Sequence, residues 1–266
     1  MQTSATLPAW LDACIFDRLG ATLMPAKGNM TVIEWNREAM LTYLGTYFPR
    51  SYAESYCIFR HYFSRNPSQW SNKKEIDVLG FGCGTGGDIL GLLSAIADTL
   101  PKLRRVNLHV LDGNRHCLNI YEDLLEAAAA ELPLEIDSKV GAVAIDDNYD
   151  LAILDSIIDK SYDIIVSFKA IGEFATRKCF GTDNPYARIA SQLIRKLKDD
   201  GIMLLADITS YSDVYRQWFP VMLDDGIEAA NGHIVCANPG YSQEFSITHS
   251  RADKYTSKLS WRIIEK

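Results

Sequence analysis

The stretch GFGCGTGGD, Gly80 to Asp88, lies between two largely apolar runs, Ile76 to Leu79 and Ile89 to Leu93. Five glycines in nine residues, flanked in this way, predict a strand, a tight turn and a helix. Residues without a Cβ let the backbone approach a ligand closely, and the helix that follows offers free N–H groups and the positive end of its dipole. A polar or anionic ligand group is expected against this turn. The spacing fits two patterns: G-x-G-x-x-G on Gly82, Gly84 and Gly87, and G-x-G-x-G on Gly82, Gly84 and Gly86.

Outward from the turn, short apolar strands alternate with amphipathic helices from Glu75 onward, the pattern of a parallel α/β sheet. The predicted strands are IDVLGF, NLHVLD, VGAVAID, YDIIVSF and GIMLLAD, the last preceded by a helix-stopping Asp200–Gly201 pair. Pro220 is expected to kink or divide a helix in SDVYRQWFPVMLDDG. The runs YSQEFSITHS and KLSWRIIEK are joined by RADKYTS, too short for a parallel crossover, so they predict an antiparallel hairpin. Asp112 ends the second strand, where a carboxylate accepts hydrogen bonds from both hydroxyls of a ribose; the competing reading is a cap for the next helix.

Residues 1 to about 70 read as helical, with Tyr52, Tyr56, Phe59 and Phe63 along one stripe that reads as core; the nine aromatics between Tyr43 and Trp70 offer the alternative of a pocket wall. The predicted division is a helical N-terminal lid or cap over 1–72 and a Rossmann-like domain over 73–266. A formal charge of −7 sets a repelling average field against a polyphosphate partner. Six scattered cysteines without a C-x-x-C pair indicate neither a zinc site nor a disulfide framework, and no metal is expected. With no basic segment leading an apolar one at the N-terminus and no long apolar span, a soluble, cytoplasmic protein is expected.

Taken together, VLGFGCGTGGDIL, VLHVLDGN, VGAVAIDD, YDIIVSFKAIGEF, DDGIMLLADIT and the terminal hairpin resemble the class I, Rossmann-like S-adenosylmethionine-dependent methyltransferases from about Glu75 to the C-terminus. The resemblance implies a seven-stranded, mostly parallel sheet with helices on both faces, closed by an antiparallel strand. It also implies S-adenosyl-L-methionine as cofactor. Phe81, Gly82, Cys83, Gly84 and Gly86 would then meet its methionine part, Asp112 and Gly113 the ribose, and Asn114 the neighbourhood of the adenine. Asp146 or Asp147 would accept the adenine amino group, with Ile145 against the ring, and Phe168 and Lys169 would lie near the transferable methyl. One departure stands out: the position commonly acidic in the family, two before Gly82, is Gly80, and Asp77 lies three residues earlier.

Catalytic candidates lie at the carboxyl ends of strands. Glu173 follows the fourth strand, and His249, with Ser250 and Arg251, ends the sixth; Tyr255 in the hairpin loop is a weaker third. The tetrapeptide DNPY at 183–186 reads as a helix entry with Pro185 in the first turn, too far past the fourth strand to be an amino-methylating motif. The leading expectation is methyl transfer to an oxygen or nitrogen of a small metabolite or peptide, without a membrane partner. The other readings are an RNA methyltransferase of ribosomal-RNA type, a nicotinamide-dependent oxidoreductase, and a catalytically silent cofactor-binding subunit.

Overall fold

The computed structural model describes residues 1–24, 36–143 and 151–266. In chain order its elements are β1 (Ser4–Thr6), α1 (Ala9–Asp12) running into a π-helical turn (Ala13–Arg18), α2 (Arg37–Arg65), α3 (Pro67–Trp70), β2 (Glu75–Phe81), α4 (Gly87–Thr99) and β3 (Arg105–Asp112). Then follow α5 (Arg115–Glu131), β4 (Glu135–Ala142), α6 (Ala152–Ile157), β5 (Tyr162–Phe168), α7 (Ile171–Arg177), α8 (Pro185–Ile194) and β6 (Leu197–Asp207). The chain ends with β7 (Tyr211–Ser212), β8 (Gln217–Trp218), α9 (Phe219–Ala229), β9 (His233–Ala237), β10 (Gln243–His249) and β11 (Ala252–Glu265).

The main sheet runs β4-β3-β2-β5-β6-β11-β10-β1. Strands β2 to β6 are parallel, and β11 is antiparallel to both β6 and β10. The mostly parallel sheet with a reversed strand near its end is as expected. Among the described residues, however, it has nine strands instead of seven: β1 extends the far edge parallel to β10, and β9 pairs antiparallel with β11. The N-terminal region is therefore not wholly helical. Ser4–Thr6 takes up the backbone groups that the β10 edge would otherwise expose.

Several boundaries differ from the sequence reading for local reasons. Asp200 and Gly201 lie inside β6, which starts at Leu197 and slips register against β5 between Tyr162 and Ile164. Pro220 sits in the first turn of α9, where its missing N–H is harmless, and the residues before it form the small β7–β8 hairpin instead of a helix. The third parallel strand begins at Glu135, earlier than expected, and α7 intervenes between β5 and α8. The turn between β10 and β11 is only two residues long, so Tyr255 is paired strand opposite Ile247. Asn184 caps α8 and Pro185 opens it, as the DNPY spacing implies.

Helix α2 is core. Phe48, Tyr52, Phe59 and Phe63 are almost wholly buried and belong to the same apolar cluster as β2, α4 and β11. Each such side chain contributes roughly 1.5–3 kcal/mol relative to exposure. Its contact with α4 is unusually close because two glycines one turn apart remove the intervening side chains. A Cβ on Gly87 would stand 2.6 Å from the Phe48 carbonyl oxygen, and one on Gly91 2.4 Å from that of Tyr52. Ser55 Oγ donates to the Asp88 carbonyl at 2.6 Å across the same seam.

Helix propensity alone says that Gly91→Ala should stabilise the protein by about 1 kcal/mol. The contact with Tyr52 predicts the opposite sign, an overpacking cost of about 1–3 kcal/mol beyond that gain. The expected outcome is a fall in Tm of about 2–6 °C by calorimetry; a rise would show that the helices do not pack at this distance.

Candidate active site at the carboxyl rim

The chain leaves β2 through Gly82 (φ 69°), Gly84 (φ 54°) and Gly86 (φ 83°), all in the left-handed region that disfavours a side chain. A Cβ on Gly82 would meet Ala170 Cβ at 2.3 Å, and one on Gly86 would meet Tyr121 Cδ2 at 2.3 Å. On Gly84 the neighbour is the Tyr43 hydroxyl, 3.1 Å away. Gly87 does not share this backbone; it is a packing glycine under α2. The bend is therefore built on the G-x-G-x-G spacing, and the third glycine of the longer pattern has a different task.

Asp112 closes β3 beside this bend. Its Oδ2 accepts the Gly84 N–H and its Oδ1 the Asn114 N–H, both at 2.8 Å. Burial pushes the carboxyl pKa up against the pull of these two N–H groups. The cap of α5 is Asn114, whose side chain accepts from the N–H groups of His116 and Cys117. Asp112 is thus not needed as a cap, and each of its oxygens keeps acceptor capacity while it ties the glycine bend to the end of β3.

Next to the bend opens a cavity of about 1000 Å³ including its mouth. The turn and α4 contribute Gly82, Cys83, Thr85 and Asp88; β5 and α7 contribute Phe168, Lys169, Gly172 and Glu173. Tyr43, Tyr47 and Ser51 come from α2, and Asp207, Ile208 and Phe219 from the end of β6 and the start of α9. Three carboxyls in this wall have raised pKa values. Burial takes Asp88 to about 7, opposed by helix-end N–H groups and Lys169. Burial takes Glu173 to about 7 as well, with Arg177 opposing and Asp112 and Asp207 adding to it. Asp207 reaches about 6 for the same first reason, although it accepts from Gly172 N–H (2.7 Å), Tyr186 Oη (2.9 Å) and Ile208 N–H (2.8 Å).

Lys169, at φ 59°, follows β5 in a left-handed conformation. Its Nζ lies 2.5 Å from Oε2 of Glu54, a fully buried acid on α2, and 3.4 Å from Ser51 Oγ. The cation expected near a transferable group is therefore held by the helix opposite.

Among the sequence candidates, Gly82, Cys83, Phe168, Lys169 and Glu173 line the cavity. Phe81 is buried in the sheet, its ring tilted against that of Phe174, and Gly113 is exposed just beyond Asp112. Ile145, Asp146 and Asp147 lie outside the described residues. His249 and Arg251 are not among the residues that line this cavity: β11 lies between β10 and β6, the outermost strand whose end reaches it. His249 stacks on Phe16 (5.1 Å) beneath the π-helical turn, and Arg251 pairs with Asp17 at 3.0 Å. Tyr255 packs edge-on to His249 and under Arg50, whose guanidinium also covers Tyr47.

Sequence reasoning missed Asp88, Asp207 and Glu54, whereas the α2 tyrosines Tyr43 and Tyr47 belong to the aromatic run it offered as a pocket wall. Asp88 follows the glycines directly and Asp207 ends β6, so their positions could have flagged them. Glu54, inside an aromatic stripe, shows only that an acid interrupts it. Among the described residues, no group of three acidic, histidine or cysteine side chains could hold a metal, and no helix is long and apolar enough to cross a membrane.

No family model matches the chain, and no curated protein matches it. Solved structures do resemble it. One is a precorrin-6y C5,15-methyltransferase from Geobacter metallireducens, 12% identical, with 80% of this chain and 88% of that chain covered at a TM-score of 0.48. An rRNA methyltransferase from Streptomyces viridochromogenes is 13% identical over 79% of this chain and 84% of that one, TM-score 0.44. An O-methyltransferase family 2 protein from Planctomyces limnophilus, in complex with apigenin, is 15% identical over 86% and 65%, TM-score 0.45.

Replacing Lys169 by Met leaves Glu54 buried without its cation, at an expected cost of about 3–5 kcal/mol. Lys169→Met combined with Glu54→Leu should recover most of that loss in urea denaturation. Equal losses in both proteins would show that the pair does not couple α2 to the rim.

Proposed function

We propose that the protein is an S-adenosylmethionine-dependent methyltransferase acting on an oxygen or nitrogen of a small molecule or peptide. The observation that carries this reading is the left-handed glycine bend hydrogen-bonded to a carboxylate at the end of the neighbouring strand, in a sheet closed by a reversed strand. The left-handed bend lines the cavity at Gly82 and Cys83, and beside it a buried carboxylate oxygen of Asp88 accepts no hydrogen bond among the described residues; together they fit a compact ligand bearing both polar and cationic groups.

Bound there, S-adenosylmethionine supplies a methyl group already activated on a sulfonium. The work left to the chain is binding, orientation and removal of a proton. In this reading Asp112, which is tied to the glycine bend but does not itself line the cavity, takes the ribose hydroxyls, and the bend takes the amino-acid part. Phe168 and Lys169 flank the acceptor side. Glu173 is the residue in this cavity best suited to act as a base, with a carboxyl near neutrality on a helix that opens into the cavity. Aromatic walls from Tyr43, Tyr47 and Phe219 and a lining richer in acids than in bases favour a neutral or cationic acceptor over a phosphodiester chain.

Isothermal titration is expected to show binding of S-adenosylhomocysteine and none of nicotinamide dinucleotides, with Asp112→Ala weakening it about tenfold or more. If nicotinamide dinucleotides bind and the thioether does not, the oxidoreductase reading takes its place. Because Glu173 must be ionised to accept a proton, kcat/KM should rise with pH and level off above about 7. Glu173→Gln should remove that limb and slow transfer about 10²–10⁴-fold. An unchanged profile would assign the proton to another group.

A further inference from the structure

The acid that a methionine ammonium needs is not on β2. Position 80 has no side chain, and a Cβ there would point at Ile89 Cδ1, 2.8 Å away, in the apolar packing between β2 and α4. Asp77 is engaged toward the other end of the strand: Lys160 and Lys198 contact its two oxygens at 2.5 and 2.8 Å, and Asn107 donates to it as well. The carboxylate facing the bend comes instead from the first turn of α4. Asp88 is 2% exposed, lines the cavity, and its Oδ2 accepts no hydrogen bond among the described residues.

An unpaired buried carboxylate oxygen is costly, so its retention beside a ligand cavity calls for a donor that arrives with the ligand. The nearest protein cation does not fill that place, since Lys169 Nζ is held at 2.5 Å by Glu54. The backbone of Asp88 is also fixed, its carbonyl accepting from Ser55 Oγ. Resting on the methyltransferase reading above, we propose that Asp88 receives the α-ammonium of the cofactor's methionine part, replacing a carboxylate that Gly80 cannot supply. In this arrangement the bend keeps its left-handed geometry and the charge partner lies on the helix instead of the strand. This makes Asp88 a specificity determinant for an amino-acid-bearing adenosyl ligand over the adenosyl thioether alone.

The test compares two probes by isothermal titration with the full chain at pH 8: S-adenosylhomocysteine, which carries the ammonium, and 5′-methylthioadenosine, which lacks the amino-acid part. Asp88→Asn is expected to weaken the first about tenfold or more, about 1.4 kcal/mol per factor of ten, and to leave the second within about twofold. Asp88→Ser, smaller and uncharged, repeats the comparison if the amide variant does not fold. If either folded variant binds S-adenosylhomocysteine as the wild type does, or loses both probes equally, the assignment of Asp88 is overturned while the methyltransferase reading stands. If the wild type binds neither probe, that reading itself falls and the assignment with it.

Discussion

The close seating of α2 on α4 is the constraint on which the rest of the molecule depends. It requires Gly87 and Gly91 on one helix and the carbonyls of Phe48 and Tyr52 on the other, with Ser55 fastening the seam to the Asp88 carbonyl. From this contact follow both the core and the site. The turns of α2 that bury Phe48 and Phe59 also deliver Tyr43, Tyr47 and Ser51 to the cavity and Glu54 to Lys169. A single helix therefore carries hydrophobic stability on one side and the chemistry of the rim on the other.

The electrostatics of the cavity show the opposite economy. Three carboxyls with raised pKa values surround it, each shifted first by burial, and the folded state binds protons there more tightly than an unfolded chain does. Their contribution to stability is greatest at low pH and declines as pH rises from about 4 through about 7. Raised carboxyls gathered around one cavity mark it as the candidate binding site. Asp207 is the exception in kind. Its three hydrogen bonds make it a brace that holds α7 and α8 to the end of β6.

Much of this was legible in the chain. The succession of parallel strands along the chain, the glycine bend, Asp112 at a strand end and Glu173 near the rim follow from periodicity and glycine spacing, because those patterns report backbone geometry directly. What escaped the sequence was lateral position. His249 ends a strand and Arg251 follows it, but linear spacing does not say that β11 stands between that strand and β6, whose end lines the cavity, nor that Phe16 and Asp17 contact them. Gly87 was ambiguous for a similar reason: its role is set by a helix some forty residues earlier. The strand Ser4–Thr6 is too short for alternation to reveal it, and it exists because β10 offers an edge.

A helix that belongs to the hydrophobic core and also walls a cavity ties the two together. Since α2 supplies both, a substitution that lifts it from its seat on α4 displaces Tyr43, Tyr47 and Ser51 as well, so a packing defect far from the glycine bend is felt as a change in the shape of the cavity.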